Sequence, residues 1–574
     1  MTASPPSVPS HLRGWVVEQD YAQYNEVDQA IWRFVLLQTH SRLVETAHPA
    51  YRDGLAATGI SVERIPSISE MNDKLSRFGW GAACVDGFIP PRAFQELQGC
   101  GILPIAADIR TREHLVYTPA PDIIHEAAGH APILPHPVYS SYLRRIGELG
   151  QQAFTVPEED SVFRAIYRLS EVKEDPSKSP EEVDQAETEL EAALAAVPSP
   201  SEATRLSRLY WWTAEYGLVG RVDDYKIYGA GLLSSLGESH SCHEPSVRKL
   251  ALDEHSADVA YDITRPQPQL FVVPSFDVLH DTLQRVARTL AIHVGGEVAL
   301  TRALRSGELA TYRFSSGACV IGVLREVGPN LGNAGWMTFD GRVALAWNGL
   351  TDLEREQSGR CMVLMGKLAD GSDLGRASDG ALAQLRDRTS GLHRFVFSSG
   401  ARLEGRLEQC VRQPDGRLLR LELSGVLSQL PGAPARELPH YGLVPLGDFV
   451  TAHAGAVDPK YHRETPFSSV RVPRERRLPP REQALLSLYE SARAAHLAGL
   501  REMEAEFPRI EAVLARDDPD EWLLRWNMLE SLLKARSKAP RVSRLRAELE
   551  RLEVRFDRKQ PIASGLRYLS ERVG

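Results

Sequence analysis

Two histidines and two carboxylates crowd into one short stretch of the chain, YTPAPDIIHEAAGHAP, which covers residues 117–132. His125, Glu126 and His130 offer imidazole nitrogens and a carboxylate, donor types that bind divalent transition metals in proteins. A lone histidine is more often a hydrogen-bonded core or surface group than a metal ligand. Two histidines within six residues, next to carboxylates, shift that balance toward a metal site.

The spacing of the two histidines differs from that of zinc peptidases. Their H-E-x-x-H motif places the histidines four positions apart on one helix face, whereas His125 and His130 are five positions apart. At about 100° per residue, an α-helix would splay these rings by about 140°. We therefore predict that the helix ends or bends around Gly129, with Pro132 adding a break, so that His130 swings back toward His125.

A third ligand has to come from elsewhere in the chain, and Glu215 in YWWTAEYGLVG (residues 210–220) is the candidate. It lies on a predicted amphipathic helix rich in aromatic residues, where an unpaired carboxylate is costly to bury, so we expect it to bind a cation. Two histidines and one glutamate on one side of an ion leave positions open, as in non-haem Fe(II) oxygen chemistry. Zinc accepts the same ligands, so the triad alone leaves both metals open.

Helices are the elements predicted to position these residues. Apolar residues recur at intervals of three and four from about residue 21 to 55, and SEATRLSRLYWWTAEYGL (201–218) predicts a helix capped by Ser201 and ended by Gly217. A charged segment bounded by Pro-Ser pairs, about 155–200, is interpreted as an insertion with a surface helix over 180–196.

The character of the chain changes after about residue 290. Short apolar runs alternate with Gly, Asn and Asp turns, which predicts β-hairpins. FSSGACVIGVL (314–324) and FSSGARLEGRL (397–407) share seven positions, so this region is either internally duplicated or uses one turn chemistry twice. From about 480 the pattern is helical again, and Trp522, Leu523, Trp526, Leu529 and Leu533 lie on one face that must be buried.

The predicted fold is therefore multidomain. A mainly α catalytic domain (1–290, with the insertion) is followed by a β-rich domain of unknown function (291–460) and a C-terminal α-helical region (480–574). The 574 residues are 43% hydrophobic and 25% charged, which is typical of a folded soluble protein. The net charge of -9 argues against nucleic acid and anionic membranes as partners.

No apolar stretch approaches the length of a membrane span and no secretory leader is recognisable, so we predict a cytoplasmic protein. The six cysteines are scattered without a C-x-x-C pair and are expected to be reduced thiols. His240, Cys242 and His243 form a cluster too compact to build a tetrahedral metal site.

Three ordered blocks carry a resemblance to a known family. PDIIHEAAGHAP (121–132), YWWTAEYGLVG (210–220) and KIYGAGLLSSLGES (226–239) resemble the pterin-dependent aromatic amino acid hydroxylases, over roughly residues 15–289. The resemblance implies that His125, His130 and Glu215 hold Fe(II), and that a tetrahydropterin and O2 bind beside it. It also implies hydroxylation of the ring of a free aromatic amino acid, in the first place phenylalanine to tyrosine in phenylalanine catabolism, with tryptophan and tyrosine as alternative substrates.

Further roles follow from the same resemblance. The residues implied to bind the pterin are Gly87, Ile89, Pro91, Phe94 and Glu126, with Phe94 stacking on the pterin and Glu126 reaching it through water. The residues implied to bind the amino acid are Arg110, Thr118, Pro121, Asp122, Trp211, Tyr216, Gly231 and Ser234. Arg110 would clamp the substrate carboxylate and Asp122 would support Arg110. Tyr216 departs from the family, which more often has phenylalanine there.

Two other hypotheses remain. A zinc-dependent hydrolase could use the same triad, and it would need neither O2 nor a pterin. The C-terminal half could instead be a partner-binding module, and its helices could mediate oligomerisation.

Overall fold

The structure is a computed structural model that describes residues 5–87, 89–116, 118, 122–174, 178–263, 266–328, 335–347, 350–355, 360–457, 479–556 and 561–573. The region before residue 290 is mainly helical, as predicted. Its helices are α1 (Glu26–Thr46), α2 (Pro49–Thr58), α3 (Ile68–Leu75), α4 (Pro91–Gly99), α5 (Pro137–Gly150), α6 (Pro157–Glu174), α7 (Pro180–Ala196), α8 (Glu202–Tyr210), α9 (Ala230–Ser234), α10 (Glu238–Ser241) and α11 (Phe276–Ala287). Two π-helices, Ile124–His130 and Trp211–Glu215, complete this set.

Six short strands accompany these helices: β1 (Gly81–Val85), β2 (Ile102–Ala106), β3 (Leu218–Arg221), β4 (Asp224–Ile227), β5 (Arg248–Ala251) and β6 (Gln269–Val273). Strands β1 and β2 pair in parallel. The other four form a sheet in the order β4-β3-β6-β5, in which β3 and β4 are antiparallel. The loop that follows β2 leads to the first π-helix. This small sheet therefore positions one wall of the site.

Helix α1 lies at the centre of the first domain. Asn25 caps its start, because its side chain accepts hydrogen bonds from the backbone N–H groups of Val27 and Asp28. Trp32 and Phe34 are fully buried, and so are residues on the other faces of the helix. This helix is buried on every side, and the C-terminal helices described below supply part of its cover.

The predicted insertion is a helical hairpin of α6 and α7. Its apolar residues Leu169, Ala186 and Leu190 form a small cluster of their own, and apolar residues of α6 pack against it. Ser179 caps α7, accepting from the N–H of Glu182, and the prediction of a surface helix over 180–196 is confirmed. The hairpin therefore adds little to the core of the first domain.

The region after residue 290 begins with two helices and continues as two antiparallel sheets. Its elements are α12 (Ala291–Val294), α13 (Gly296–Ser306), β7 (Leu309–Phe314), β8 (Ala318–Val327), β9 (Trp336–Trp347), β10 (Leu350–Arg355), β11 (Arg360–Leu364), α14 (Asp379–Gln384), β12 (His393–Val396), β13 (Arg402–Arg412), β14 (Leu418–Gln429), β15 (Arg436–Leu443) and β16 (Phe449–Ala454). One sheet has the order β10-β9-β8-β7-β16, with β11 also paired to β9, and the other has the order β12-β13-β14-β15.

The repeated sequence FSSGA forms the same turn in both sheets. Each copy links two antiparallel strands, β7 to β8 and β12 to β13. In each turn the glycine N–H donates to the phenylalanine carbonyl oxygen at 2.9 Å, and the second serine hydroxyl accepts from the alanine N–H at 3.3 Å. The two glycines, Gly317 and Gly400, have φ of 88° and 84°, which glycine adopts without strain. The turns are thus equivalent, while duplication of the whole unit stays a prediction.

The last helices are α15 (Pro480–Ala498), α16 (Leu500–Asp517), α17 (Leu523–Lys534), α18 (Pro540–Arg555) and α19 (Ile562–Arg572). They bury the predicted apolar face on α1. The rings of Trp522 and Trp526 meet Phe34 at 5.1 and 4.8 Å between centroids, and Arg33 donates to the buried carboxylate of Glu530 at 2.7 Å. The C-terminal helices and the first domain thus share one core, although the β-rich region lies between them in sequence.

Oligomerisation through the C-terminal helices stays a prediction, as do the domain limits. Within the described ranges, no helix is long and apolar enough to cross a membrane.

Candidate active site

The three predicted metal ligands meet where the two π-helices face each other. His125 and His130 both lie in the first, and Glu215 ends the second. The first π-helix ends at His130, one residue after Gly129, so the predicted end is confirmed, but this end is not what brings the two histidines together. In a π-helix the hydrogen bonds join residues five apart, so residues at that separation lie on one face without a break.

The side chains of this triad are in direct contact. The Nε2 atom of His125 lies 3.1 Å from Oε2 of Glu215, and Nε2 of His130 lies 3.0 Å from Oε1. Each carboxylate oxygen thus faces one imidazole, and the three potential ligand atoms lie within 4.8 Å of one another. Within the described ranges this is the only such group of three histidine, cysteine or acidic residues, and His240, Cys242 and His243 do not form one.

The electrostatics of the triad favour a bound cation. Burial by itself raises the pKa of Glu215, but the neighbouring His130 and His125 hold the pKa of that carboxyl well below its usual range. Burial lowers the pKa of His125, and Glu215 outweighs this effect and raises that pKa to about 9. The anionic carboxylate therefore attracts positive charge to this point, and a divalent ion can take the place of the imidazole protons.

A second set of contacts orients His125. The Ser234 hydroxyl donates to the carbonyl oxygen of Ala230 at 2.8 Å and lies 3.1 Å from Nδ1 of His125. Since the hydroxyl hydrogen is already used, Ser234 accepts from the Nδ1–H of His125. This bond leaves Nε2 of His125 directed at Glu215, which is the geometry a metal ligand requires.

Glu126 brings an additional carboxylate to the same place. It is buried, and its Oε2 atom, 3.9 Å from Nε2 of His130, has no hydrogen-bond partner within the described part of the chain. Burial raises the pKa of Glu126 to about 7. A buried carboxyl oxygen without a partner is costly, so this atom points to a ligand that would complete the site.

Arg110 and Asp122 form a buried pair beside the triad. Nε and Nη2 of Arg110 donate to the two oxygens of Asp122 at 2.7 and 2.8 Å. Burial raises the pKa of Asp122, but the Arg110 guanidinium outweighs that effect and lowers it. Asp122 occupies one edge of the guanidinium, Nη1 donates to the carbonyl oxygen of Ser234 at 3.3 Å, and Arg110 also lines the neighbouring cavity.

A cavity of about 280 Å³ unites most of the predicted site residues. Those that line it are Gly87, Ile89, Pro91, Phe94, Arg110, Thr118, His125, Glu126, Trp211, Glu215, Tyr216, Gly231 and Ser234. His130 and Asp122 do not line the cavity, but they contact Glu215 and Arg110, which do. Pro121 lies outside the described residues.

Sequence reasoning missed several residues of the cavity wall. Tyr261 stacks on Trp211 with ring centroids 4.2 Å apart and an angle of 8° between the planes. It lies in an irregular segment without a motif, so no signal identifies it. Glu238 accepts from the Tyr216 hydroxyl at 2.9 Å, and burial raises its pKa to about 7. Glu238 does belong to the block KIYGAGLLSSLGES, where a carboxylate amid apolar residues was the available signal.

The chain is similar to known proteins over about its first half. A family model described as biopterin-dependent aromatic amino acid hydroxylase matches residues 18–160 and 182–295, and its gap falls in the α6–α7 hairpin. Phenylalanine-4-hydroxylase of Mesorhizobium japonicum is 28% identical over 274 residues, covering 47% of this chain and 83% of that protein. The Pseudomonas aeruginosa protein of the same name is 29% identical over 46% of this chain and 86% of its own length.

A solved structure, phenylalanine hydroxylase from Chromobacterium violaceum with bound iron(III) and oxidised 7,8-dihydrobiopterin, also matches. It is 26% identical, covers 49% of this chain and 87% of its own, and has a TM-score of 0.38.

Proposed function

We propose that this chain, which belongs to the biopterin-dependent aromatic amino acid hydroxylase family through residues 18–160 and 182–295, converts phenylalanine to tyrosine with O2, Fe(II) and a tetrahydropterin. The observation that carries the proposal is the meeting of His125, His130 and Glu215 beside a cavity that His125, Glu215 and Arg110 line. The amino acid, the pterin and the ion would share this cavity.

The residues present fit an iron ion. Two imidazoles and one carboxylate on one side of an ion are the donor set of non-haem Fe(II) oxygenases, and the open side would face the cavity. The unpartnered Oε2 of Glu126 is within reach of ligands bound there. When bound, iron and tetrahydropterin supply the electrons that activate O2, and the protein's task is to position the reactants and to exclude water.

The chain's own residues then hold the amino acid. The guanidinium of Arg110 has one N–H left on each of Nη1 and Nη2 beyond its bonds to Asp122 and Ser234, and these two would suit a carboxylate. Asp122 keeps the guanidinium in place. The substrate ring would lie among Trp211, Tyr216 and Gly231, where a larger residue at 231 would meet the Tyr216 ring at 2.9 Å.

The test is a product assay. We expect the purified chain with Fe(II), tetrahydropterin and O2 to convert L-phenylalanine to tyrosine, detected by mass spectrometry. His130→Ala and Glu215→Ala should reduce turnover to background. Each variant removes one proposed iron ligand, and the two that remain would not hold the ion. His255→Ala, an exposed histidine of the same domain, is the matched control and should keep full activity.

Two results would contradict the assignment. Full turnover in Glu215→Ala would disprove the proposed ligand set. Hydrolytic activity that needs neither O2 nor a pterin, together with zinc as the bound metal, would favour the zinc hydrolase.

One observation favours a second candidate substrate. The Tyr216 hydroxyl and the Glu238 carboxylate put polar atoms in a wall that the family more often closes with phenylalanine. Such atoms can accept a hydrogen bond from the indole N–H of tryptophan or the hydroxyl of tyrosine. Competition of the three amino acids in one reaction, with the wild type and Tyr216→Phe, measures the preference directly. A shift toward phenylalanine in the variant would support the role of the hydroxyl.

A further inference from the structure

Two arginines that flank the cavity are bound by glutamates from the regions outside the matched family. Arg92 is the second residue of α4, the helix that carries Phe94, and it donates to Oε2 of Glu308. Arg112 lies two residues beyond Arg110, and it donates to Oε2 of Glu521. Glu308 belongs to the β-rich region and Glu521 to the C-terminal region, so each added region contacts a different side of the cavity.

The two glutamates are held in the same manner. One oxygen of Glu521 accepts from the hydroxyl of Tyr489 at 2.7 Å and from the N–H of Leu524 at 3.1 Å, which leaves the other for Arg112. One oxygen of Glu308 accepts from the N–H and the hydroxyl of Thr155 at 2.8 and 2.5 Å, which leaves the other for Arg92. Each arginine therefore docks on a carboxylate whose orientation is already determined.

Burial distinguishes these pairs from ordinary surface ion pairs. The Glu521 side chain is 2% exposed and that of Glu308 is 18% exposed. Exposed pairs contribute little, because water screens them, whereas a buried carboxylate without its partner is unfavourable. The arginines are more exposed, 31% for Arg112 and 29% for Arg92, so the cost of breaking either pair falls mainly on the carboxylate, and this cost keeps each arginine in place.

The segments that these arginines hold need such support. Between β2 and the first π-helix, the described loop residues contain only a three-residue turn, Arg112–His114. Its side-chain attachments include the Arg110–Asp122 pair, a bond from Tyr24 to the Ala107 carbonyl oxygen, and Arg112. On the other side of the cavity, Gly87 and Ile89 precede α4. Arg92, near the start of this helix, donates to Glu308 and to the carbonyl oxygen of Gln151.

We propose that Glu308 and Glu521 are positioning residues, through which the β-rich region sets the pterin side of the cavity and the C-terminal helices set the amino acid side. The proposal rests on the proposed function for the identity of the two ligands. The attachment of each region to one cavity segment can be tested without any ligand. Each glutamate acts through its arginine and touches neither substrate nor cofactor.

The variants Glu521→Gln and Glu308→Gln test this division. In each, the amide oxygen can keep the bonds to Tyr489 and Leu524 or to Thr155, so the amide NH2 faces the arginine and the ion pair is lost. We expect Glu521→Gln to raise the KM for the amino acid about tenfold, the equivalent of roughly 1.4 kcal/mol. The KM for the pterin should stay within about twofold. Glu308→Gln should show the reverse pattern.

Hydrogen exchange followed by mass spectrometry gives a readout independent of catalysis. On the full chain without ligands, Glu521→Gln should speed exchange over 107–116 and leave 89–95 unchanged, and Glu308→Gln should do the opposite. Glu502→Gln and Glu297→Gln, exposed glutamates of α16 and α13, are the matched controls and should change neither segment. A wild type without hydroxylase activity would refute the proposed function, while the exchange pattern would still decide the attachment.

Three results would overturn the proposal: unchanged exchange in both segments, equal effects of both variants on both segments, or equal changes in both KM values. If Glu521→Gln fails to fold, Tyr489→Phe removes only one donor from Glu521 and should give a smaller change with the same selectivity.

Discussion

Gly129 shows how a single residue determines how closely the first π-helix and α9 can pack. A Cβ atom there would lie 2.7 Å from the carbonyl oxygen of Ala230 and 3.0 Å from its Cβ, so the first π-helix and α9 could not stay this close. Helix α9 also carries Ser234, which orients His125. The role of Gly129 is thus to allow close packing, and not to bend the helix.

We expect Gly129→Ala to lower the free energy of unfolding by about 1–3 kcal/mol, because backbone atoms have to move apart. It should also weaken Fe(II) binding, since the shift of α9 displaces Ser234. Chemical denaturation and metal titration measure the two effects. Gly380→Ala is the control, because its new methyl group meets nothing closer than 3.8 Å. Equal behaviour of the two variants would show that α9 can retreat without cost.

The meeting of His125, His130 and Glu215 could be predicted from residue types, the spacing of the histidines and the resemblance of three sequence blocks to a known family. The π-helical conformation that places His125 and His130 on one face could not be predicted. The reason is that α- and π-helices differ by only one residue in their hydrogen-bond pattern. Gly129 also packs closely against Ala230, about 100 residues further along the chain, and local sequence does not reveal a contact of that range.

The α6–α7 hairpin illustrates what an element can and cannot influence. Its apolar contacts stay within the hairpin, and its carboxylate Glu159 bonds Ser201 and Thr204 at the start of α8. Leu190→Asp places a charge in the small cluster, so we expect local melting of the hairpin. Limited proteolysis should then cut between residues 161 and 199, while kcat/KM stays within about twofold of the wild type.

Leu194→Asp is the matched control, since Leu194 is 54% exposed on the same helix and should leave the hairpin resistant. A parallel loss of activity in Leu190→Asp would show that the hairpin supports the site.

Helices and hairpins of this kind can be predicted from sequence, since capping residues and turn glycines are local signals. The pairing of β16 with β7 is not predictable in this way, because it joins strands about 140 residues apart.

At the scale of the whole molecule, the chain is not a series of independent modules. Trp526 is fully buried against Phe34 of α1, so the C-terminal helices complete the core of the first domain. The sequence indicates that the C-terminal face must be buried but carries no information about its partner surface. Docking of this face on α1 depends on shape complementarity across nearly the full chain length.

We expect Trp526→Ala to cost about 3–5 kcal/mol, as is usual when a large core aromatic is truncated. Loss of activity on heating and loss of helical circular dichroism should then shift downward together, because one core is affected. Leu497→Ala, at a residue that is 71% exposed, should shift neither. A C-terminal transition at lower temperature, with activity retained above it, would contradict a shared core.

The pair of Arg33 and Glu530 has a consequence for how the protein is made. The two residues are 497 positions apart, yet they form one buried contact. At about 5–20 residues per second, ribosomes need roughly 25–100 seconds to synthesise the intervening chain. Throughout that time the nascent α1 exposes an apolar surface and an unpaired guanidinium. The first domain to be translated is therefore among the last to become fully native, and its final folding step follows synthesis of the C-terminus.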